Sequence, residues 1–414
     1  MDTPVDAAPI TPAGGVQVQK HVPSLPELMV SYEFWLAAAL FSGRSALSRF
    51  VFDISVEYSA AIAMLVVATV LAIACRRDGA SRAVPVAARA VIAIFSLSFM
   101  GLLISLYWSR SPEYGANKLI GFALLSLYPI VLVSAVGVNV PRLAASFSLL
   151  AAILLVSAIA GISPGALVTS GVRFAAFGGG PNVFARFMAF GAISSHFSSR
   201  RTIRILWSAV LTAGAVLSQS RGAVLALACT YVVMHIDELR RMPRRAIAAV
   251  LVGILILWTA WAKLPTDYRD LLILRFSSIT RDMPGGSAIH ARAGVAIEAI
   301  EAIASRPMLG WGLGSFDALS VLRYPHNLVL EVLSECGLVL GTLILMPIAG
   351  AFLDCLSSGT HRQLWSGPQF YWFLFALMSA QFSGDIVDSR FVYFFAALAM
   401  LSPVRGVAKD STRA

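Results

Sequence analysis

The residue types able to do chemistry gather in the last third of the chain. Tyr324-Pro325-His326-Asn327-Leu328-Val329-Leu330-Glu331 sits where a long polar connection runs back into an apolar stretch. An imidazole there lies beside the membrane yet open to water. Its unperturbed pKa of about 6.5 lets it take up a proton near neutral pH, so His326 is a candidate general base. Asn327 suits a helix N-cap, and Glu331 suits a first helical turn, where the macrodipole favours negative charge. Glu335 lies one turn deeper on the same face. Carboxylates inside a membrane span are rare and usually functional or paired, so Glu331 and Glu335 are expected to hold His326 or Arg221 in place.

The matching cations are guanidiniums. Arg221 occupies Ser218-Gln219-Ser220-Arg221-Gly222-Ala223, a tight link between two apolar runs. Arg173 precedes Gly178-Gly179-Gly180-Pro181-Asn182, and Arg292 lies on an outer segment. For Arg221 the structural alternative is snorkelling to lipid headgroups. For Arg173 and Arg292 it is a solvated face. The functional alternative is a fixed anion: guanidinium offers paired donors to phosphate oxygens and never loses its charge. One such contact at about 4 Å contributes about 4 kcal/mol at an effective dielectric of about 20. Two or three could replace a divalent metal. No Asp-x-Asp cluster is placed to hold one, and Asp385 and Asp388 are spaced too loosely to argue a metal site.

The elements that must position these groups are membrane helices. The 414 residues are 58% hydrophobic and 13% charged, about half the charge of a soluble domain. Apolar runs recur from end to end and are continuous rather than alternating, which favours helices over a β-barrel. About twelve spans are expected: 30–48, 59–75, 89–108, 117–137, 143–160, 182–198, 205–219, 222–236, 246–262, 327–352, 368–384 and 390–404. Residues 1–28 read as a disordered tail, 263–326 as one long outer connection, and 405–414 as a second tail.

The net charge of +10 fits basic loops better than nucleic-acid binding. Arg76, Arg77, Arg82 and Arg89, then Arg200, Arg201 and Arg204, then Arg240, Arg241, Arg244 and Arg245, then Arg405, Lys409 and Arg413 all fall on one side if the spans number twelve. That side is the cytoplasm by the positive-inside rule, with both termini on it. The outer connection then carries a helix-like segment, Ser287 to Ser305, with Ser287 as N-cap. Its apolar side is Val295, Ile297, Ile300 and Ile303, and its polar side is Arg292, Glu298 and Glu301. Such a helix would lie along the bundle surface. Arg306 to Phe316 follows as a glycine-rich turn around an interfacial tryptophan, Trp311. The four cysteines, Cys75, Cys229, Cys336 and Cys355, show no metal-ligand spacing and read as buried small residues.

Together these features offer a base and several guanidiniums beside lipid, which suits transfer of a group away from a lipid pyrophosphate, with arginines stabilising the leaving charge. The same motifs resemble the O-antigen ligase and polymerase superfamily of bacterial inner-membrane glycan enzymes. The resemblance is carried by Arg173 with Pro181-Asn182, Ser220-Arg221-Gly222, Arg292 ahead of Arg306-Pro307 and Gly310-Trp311-Gly312-Leu313-Gly314, and Pro325-His326-Asn327 with Glu331, Glu335 and Gly337. One departure is that Val295 and Ala296 follow Arg292 where the family often has an aromatic.

The resemblance implies a GT-C-like all-α bundle and an undecaprenyl-pyrophosphate-linked glycan donor. It also implies metal-independent, inverting transfer on the periplasmic face without a cofactor. Arg221 and Arg292, with Arg173, would bind the pyrophosphate, and His326 would be the base. Asn327, Glu331, Glu335, Asn182 and Trp311 would support them. The acceptor would be lipid A–core in a ligase, or a second lipid-linked glycan in an O-antigen or exopolysaccharide polymerase. A secondary transporter is the rival of another class; it would need ionisable groups near mid-membrane and paired broken helices, and the spans carry few central charges.

Overall fold

The computed structural model describes residues 23–44, 56–77, 84–161, 180–198, 200–236, 288–357 and 367–401. Among them every regular element is helical: α1 Leu25–Met29, α2 Tyr32–Ser42, α3 Ser59–Arg77, α4 Val86–Leu106, α5 Pro112–Phe122, a π-turn Ala123–Leu127, α6 Tyr128–Val136, α7 Val140–Ala160, α8 Pro181–His196, α9 Arg201–Leu217, α10 Arg221–Met234, α11 Ala288–Ser305, α12 Phe316–Leu319, α13 Leu328–Ser357, α14 Pro368–Ser379 and α15 Arg390–Leu401. Helices occupy eleven of the twelve expected spans in whole or part; 246–262 lies outside the described residues. Four stretches are long and apolar enough to cross a membrane: Val86–Leu106, Pro112–Val136, Val140–Ala160 and Leu328–Cys355. The protein is a helical membrane protein.

Local chemistry sets the helix ends. The Ser31 side chain accepts from Phe34 N (3.4 Å) and Asn139 from Arg142 N (3.1 Å), each satisfying a donor left over at a helix start. The π-turn before α6 immediately precedes Tyr128-Pro129. Pro129 lacks an N–H and crowds the carbonyl four residues back, and a wider turn absorbs that mismatch.

The interior is filled mainly by aromatic rings, alanines and leucines, while many other large aliphatics face outward. Phe41 stacks on Phe187 (4.1 Å), Phe190 lies on Phe391 (4.5 Å), and Phe147 meets Trp372 edge-on (5.4 Å). These contacts knit α2, α7, α8, α14 and α15. Val66, Val70, Val156, Ile159 and Leu353 point outward, as a surface bathed in lipid tails permits. Of the cysteines, Cys336 and Cys355 are buried as expected, but Cys75 is exposed at the end of α3.

The outer-surface helix differs from its sequence expectation. Ser287 lies outside the described residues, and α11 buries Val295, Ala299 and Ala302 while Ile297 and Ile300 stay exposed. The buried set is spaced i, i+4, i+7, one helical face. Its alanines let α11 sit close to Phe316 and Leu330, where isoleucines would hold the helices apart.

The glycine-rich segment has a defined structural task. At Gly337 (φ +66°) helix α13 breaks. In an unbroken helix the Ser334 and Glu335 carbonyls would accept from Leu338 and Val339. Here they accept from Trp311 N (3.0 Å) and Gly312 N (2.7 Å), while Leu338 N and Val339 N turn to Pro307 O (2.8 Å) and Met308 O (3.0 Å). The loop replaces both lost helical bonds reciprocally, so no backbone group is orphaned. A Cβ on Gly337 would sit 2.4 Å from Met308 O, and one on Gly310 2.5 Å from Gly337 N. Beyond the break, residues 338–357 run for about 30 Å at 1.5 Å per residue, a bilayer core thickness.

Candidate active site

The site is built from two elbows at one end of the bundle. In the first, Gln219 adopts φ +59° immediately before Ser220-Arg221 opens α10. In the second, His326 adopts φ +58° before Asn327 caps α13, accepting from Leu330 N (3.0 Å). Left-handed backbone is uncommon outside glycine. It costs about 1–3 kcal/mol at such positions and clusters at functional sites. Each elbow turns a side chain back at the end of a helix instead of letting it run on.

One turn, residues 380–384, meets both elbows. Asn182 of α8 accepts from Ser220 Oγ (2.9 Å) and donates to Ser383 Oγ (3.0 Å). A Cβ on Gly222 would fall 2.5 Å from Phe382 Cβ, so α10 starts hard against that turn. On the other elbow, Leu328 N donates to Ala380 O (3.1 Å) and Asn327 Nδ2 to Gln381 O (3.5 Å). Arg221 and His326, 105 positions apart in sequence, therefore abut a common turn. Both are half-buried. The His326 ring lies edge-on to Tyr324 at 4.5 Å. Burial, then the negative charge of Asp388, pushes the Tyr324 phenol up to about 12.

Glu331 and Glu335 do not pair with His326 or Arg221. Both grip Lys118 of α5, at 2.6 Å and 2.7 Å, and all three side chains are almost wholly buried. Once an ammonium sits between them the carboxylates have their counter-charge, and Lys118 reaches from the neighbouring helix where Arg221 does not. Glu331 Oε2 is left buried with no hydrogen-bond partner. The Tyr114 ring lies 4.9 Å from Lys118, and its hydroxyl donates to Asp385 (3.3 Å).

Asp385 opens a second charged group. It ion-pairs Arg44 and accepts from Val387 N (3.1 Å) and Asp388 N (2.9 Å). Asp388 pairs with Arg390 at 3.6 Å. Arg186 of α8, buried, donates to the carbonyls of Ser379 (3.3 Å), Ser383 and Asp388 (3.5 Å). Burial raises the Asp385 carboxyl, but Arg44 and Lys118 outweigh it and hold it below the usual carboxylate range. Burial and the Asp385 charge instead push Asp388 up. Lys118, Arg44, Arg186 and Arg390 thus face Glu331, Glu335, Asp385 and Asp388, four formal charges of each sign. Isolated charges at such depth are expensive; here each has partners.

Lys118 and Arg186 were not singled out in the sequence. Each is a lone cation within the first two turns of an expected span, and a charge so close to an apolar run calls for a partner. Of the other expected site residues, Arg173 lies outside the described residues, and Arg292 falls in the early turns of α11. Trp311 stands apart from the elbows, in the loop that bridges the α13 break; its Nε1 donates to Ala302 O (3.0 Å) and Ser305 Oγ (3.2 Å).

No curated protein matches the chain in sequence. Residues 205–345, about a third of the chain, match the family model described as O-Antigen ligase. The matched stretch runs from α9 through both elbows and past the α13 break, so it takes in Arg221, Arg292, Trp311, His326, Glu331 and Glu335. That stretch of the chain is therefore similar to the O-antigen ligase family.

Proposed function

We propose that the chain transfers a glycan from undecaprenyl pyrophosphate to an acceptor hydroxyl, as an O-antigen ligase with lipid A–core as acceptor. The observation that carries this reading is the common turn at 380–384, against which an arginine elbow and a histidine elbow both sit. In the proposed step His326 takes the proton of the acceptor hydroxyl as its oxygen attacks the anomeric carbon. The bond from that carbon to the pyrophosphate oxygen breaks, the pyrophosphate keeps the electron pair, and configuration inverts. Arg221, with Arg292 and Arg173, stabilises the departing charge, the largest kind of contribution in such reactions. Asn182 and Asn327 fix the elbows, and Glu331 and Glu335 anchor the His326 helix through Lys118.

We place this end of the bundle at the periplasmic face of the inner membrane, with about twelve crossings of GT-C-like arrangement and both termini cytoplasmic. The gathering of basic residues in the other loops supports that orientation. The test is reconstitution of the full chain in proteoliposomes with a lipid-linked glycan donor and each acceptor in turn. Product on lipid A–core supports the ligase. Product only as a doubled lipid-linked glycan makes the chain a polymerase, and no product with either acceptor removes the transfer reading.

A further inference from the structure

Away from the two elbows, a pair of arginines has no counter-charge among the described residues. The Arg110 and Arg306 guanidiniums both lie over the Trp311 ring, their central carbons 4.1 Å and 4.0 Å from its centroid. The two carbons are therefore no farther apart than those distances added together. Among the described residues neither arginine forms an ion pair, and both are exposed. Cation–π contact places both guanidiniums against the ring but neutralises neither charge. A bound anion would supply the counter-charge, and guanidinium donors match phosphate oxygens.

The indole between them is fixed. Its ring nitrogen is tied to the end of α11, and its backbone N–H is tied to Ser334 O in the α13 break. The Arg110 backbone is fixed as well: its main-chain N–H donates to Ser315 Oγ (2.7 Å), which in turn donates to Trp311 O (2.7 Å). Beside the pair opens a hollow of about 340 Å³ lined by Trp108, Arg306, Pro307, Met308, Leu309 and Gly310. Its apolar rim is exposed, with Met308 at 58% and Leu309 at 52%.

The depth of this place is set by its neighbours. Arg110 follows the end of α4 at Leu106, and the loop meets α13 where the bilayer-length segment 338–357 begins. Leu313 N donates to Ser105 O, and Ser98 Oγ to Leu343 O, so the end of α4 and the break of α13 share one level. Tyr107, 94% exposed, and Trp108 sit at that level, as aromatic residues do at a membrane–water boundary.

We propose that Arg110, Trp311 and Arg306, with the adjoining hollow, form a binding site for a phosphorylated lipid. Its phosphate lies at the two guanidiniums and the first methylenes of its chains lie in the hollow. Of the residues expected to serve glycan transfer the site uses only Trp311, which stands apart from the elbows, and it stands whether or not that chemistry is right.

The test is native mass spectrometry of the full-length protein in mild detergent, titrated with dioleoyl phosphatidic acid. Dioleoylglycerol serves as the phosphate-free lipid and inorganic phosphate as the lipid-free anion. Wild type is expected to bind phosphatidic acid at least tenfold more tightly than dioleoylglycerol, and millimolar inorganic phosphate is expected not to displace it. The double variant Arg110→Gln/Arg306→Gln, both on exposed side chains, is expected to bind one equivalent fewer at the same lipid concentration. Trp311→Phe, which keeps a ring, is expected to retain that equivalent. Unchanged stoichiometry in the double variant overturns the proposal. So does dioleoylglycerol binding as tightly as phosphatidic acid, or displacement of the lipid by phosphate alone.

Discussion

Two groups of cations in this molecule are treated in opposite ways. Lys118, Arg186 and Arg390 are buried and Arg44 is mostly covered; Glu331, Glu335, Asp385 and Asp388 pair with Lys118, Arg44 and Arg390, and backbone carbonyls hold Arg186. Arg110 and Arg306 are left exposed against one indole, and among the described residues neither pairs with a carboxylate. The first group is satisfied by the protein and serves to hold helices in register. The second is incomplete without something negative from outside. Buried and balanced charge marks a brace, and exposed and unbalanced charge marks a binding site.

Breaking the brace is expected to have the largest effect. Lys118→Met leaves two carboxylates buried without their cation and should cost about 3–5 kcal/mol, the range for removing one member of a buried pair. Chemical unfolding in detergent measures it. Adding Glu331→Gln and Glu335→Gln removes the stranded charges and should recover much of the loss. A single variant as stable as wild type would mean that the triad is not ionised.

The next effect is on activity rather than stability. Arg221→Ala should lower transfer about 10²–10³-fold, the usual effect of removing one donor to developing charge, with the unfolding midpoint unmoved. Equal losses of stability and activity would make Arg221 another brace.

Gly337→Ala probes the break that joins the two regions. The alanine Cβ would meet Met308 O at 2.4 Å on a backbone at φ +66°. The cost should exceed about 1 kcal/mol, since alanine does not tolerate positive φ. Because the same break seats Trp311, binding of phosphatidic acid should weaken in parallel. The smallest effect belongs to Arg110→Gln, an exposed residue whose loss should move stability within about 0.5 kcal/mol while lowering lipid binding.

Much of this was legible in the sequence, and the rest was hidden for identifiable reasons. Continuous apolar runs announced the helices, and Asn327 announced its cap. The motif Gly310-Trp311-Gly312-Leu313-Gly314 was visible as a special backbone, but its partner was not. Gly337 belongs to the motif that carries the resemblance, but nothing in its neighbours along the chain shows that the loop enters a gap there. Glu331 and Glu335 were visibly in need of a cation, but the sequence offered Arg221 and His326 as readily as Lys118, which is 213 positions away from Glu331. The face of α11 was misjudged because isoleucines are more apolar than alanines, while close packing selected the alanines. The 380–384 turn, which meets both elbows, has no motif at all: its role lies in contacts with residues far away in the chain.

The central claim is that His326 works as the base beside Arg221. Its most direct measurement is glycan transfer by purified His326→Ala in proteoliposomes, alongside donor binding and the unfolding midpoint of the same preparation. The account predicts a fall in transfer of about 10²–10⁴-fold, with donor binding and the midpoint unchanged. Transfer near the wild-type rate would contradict it.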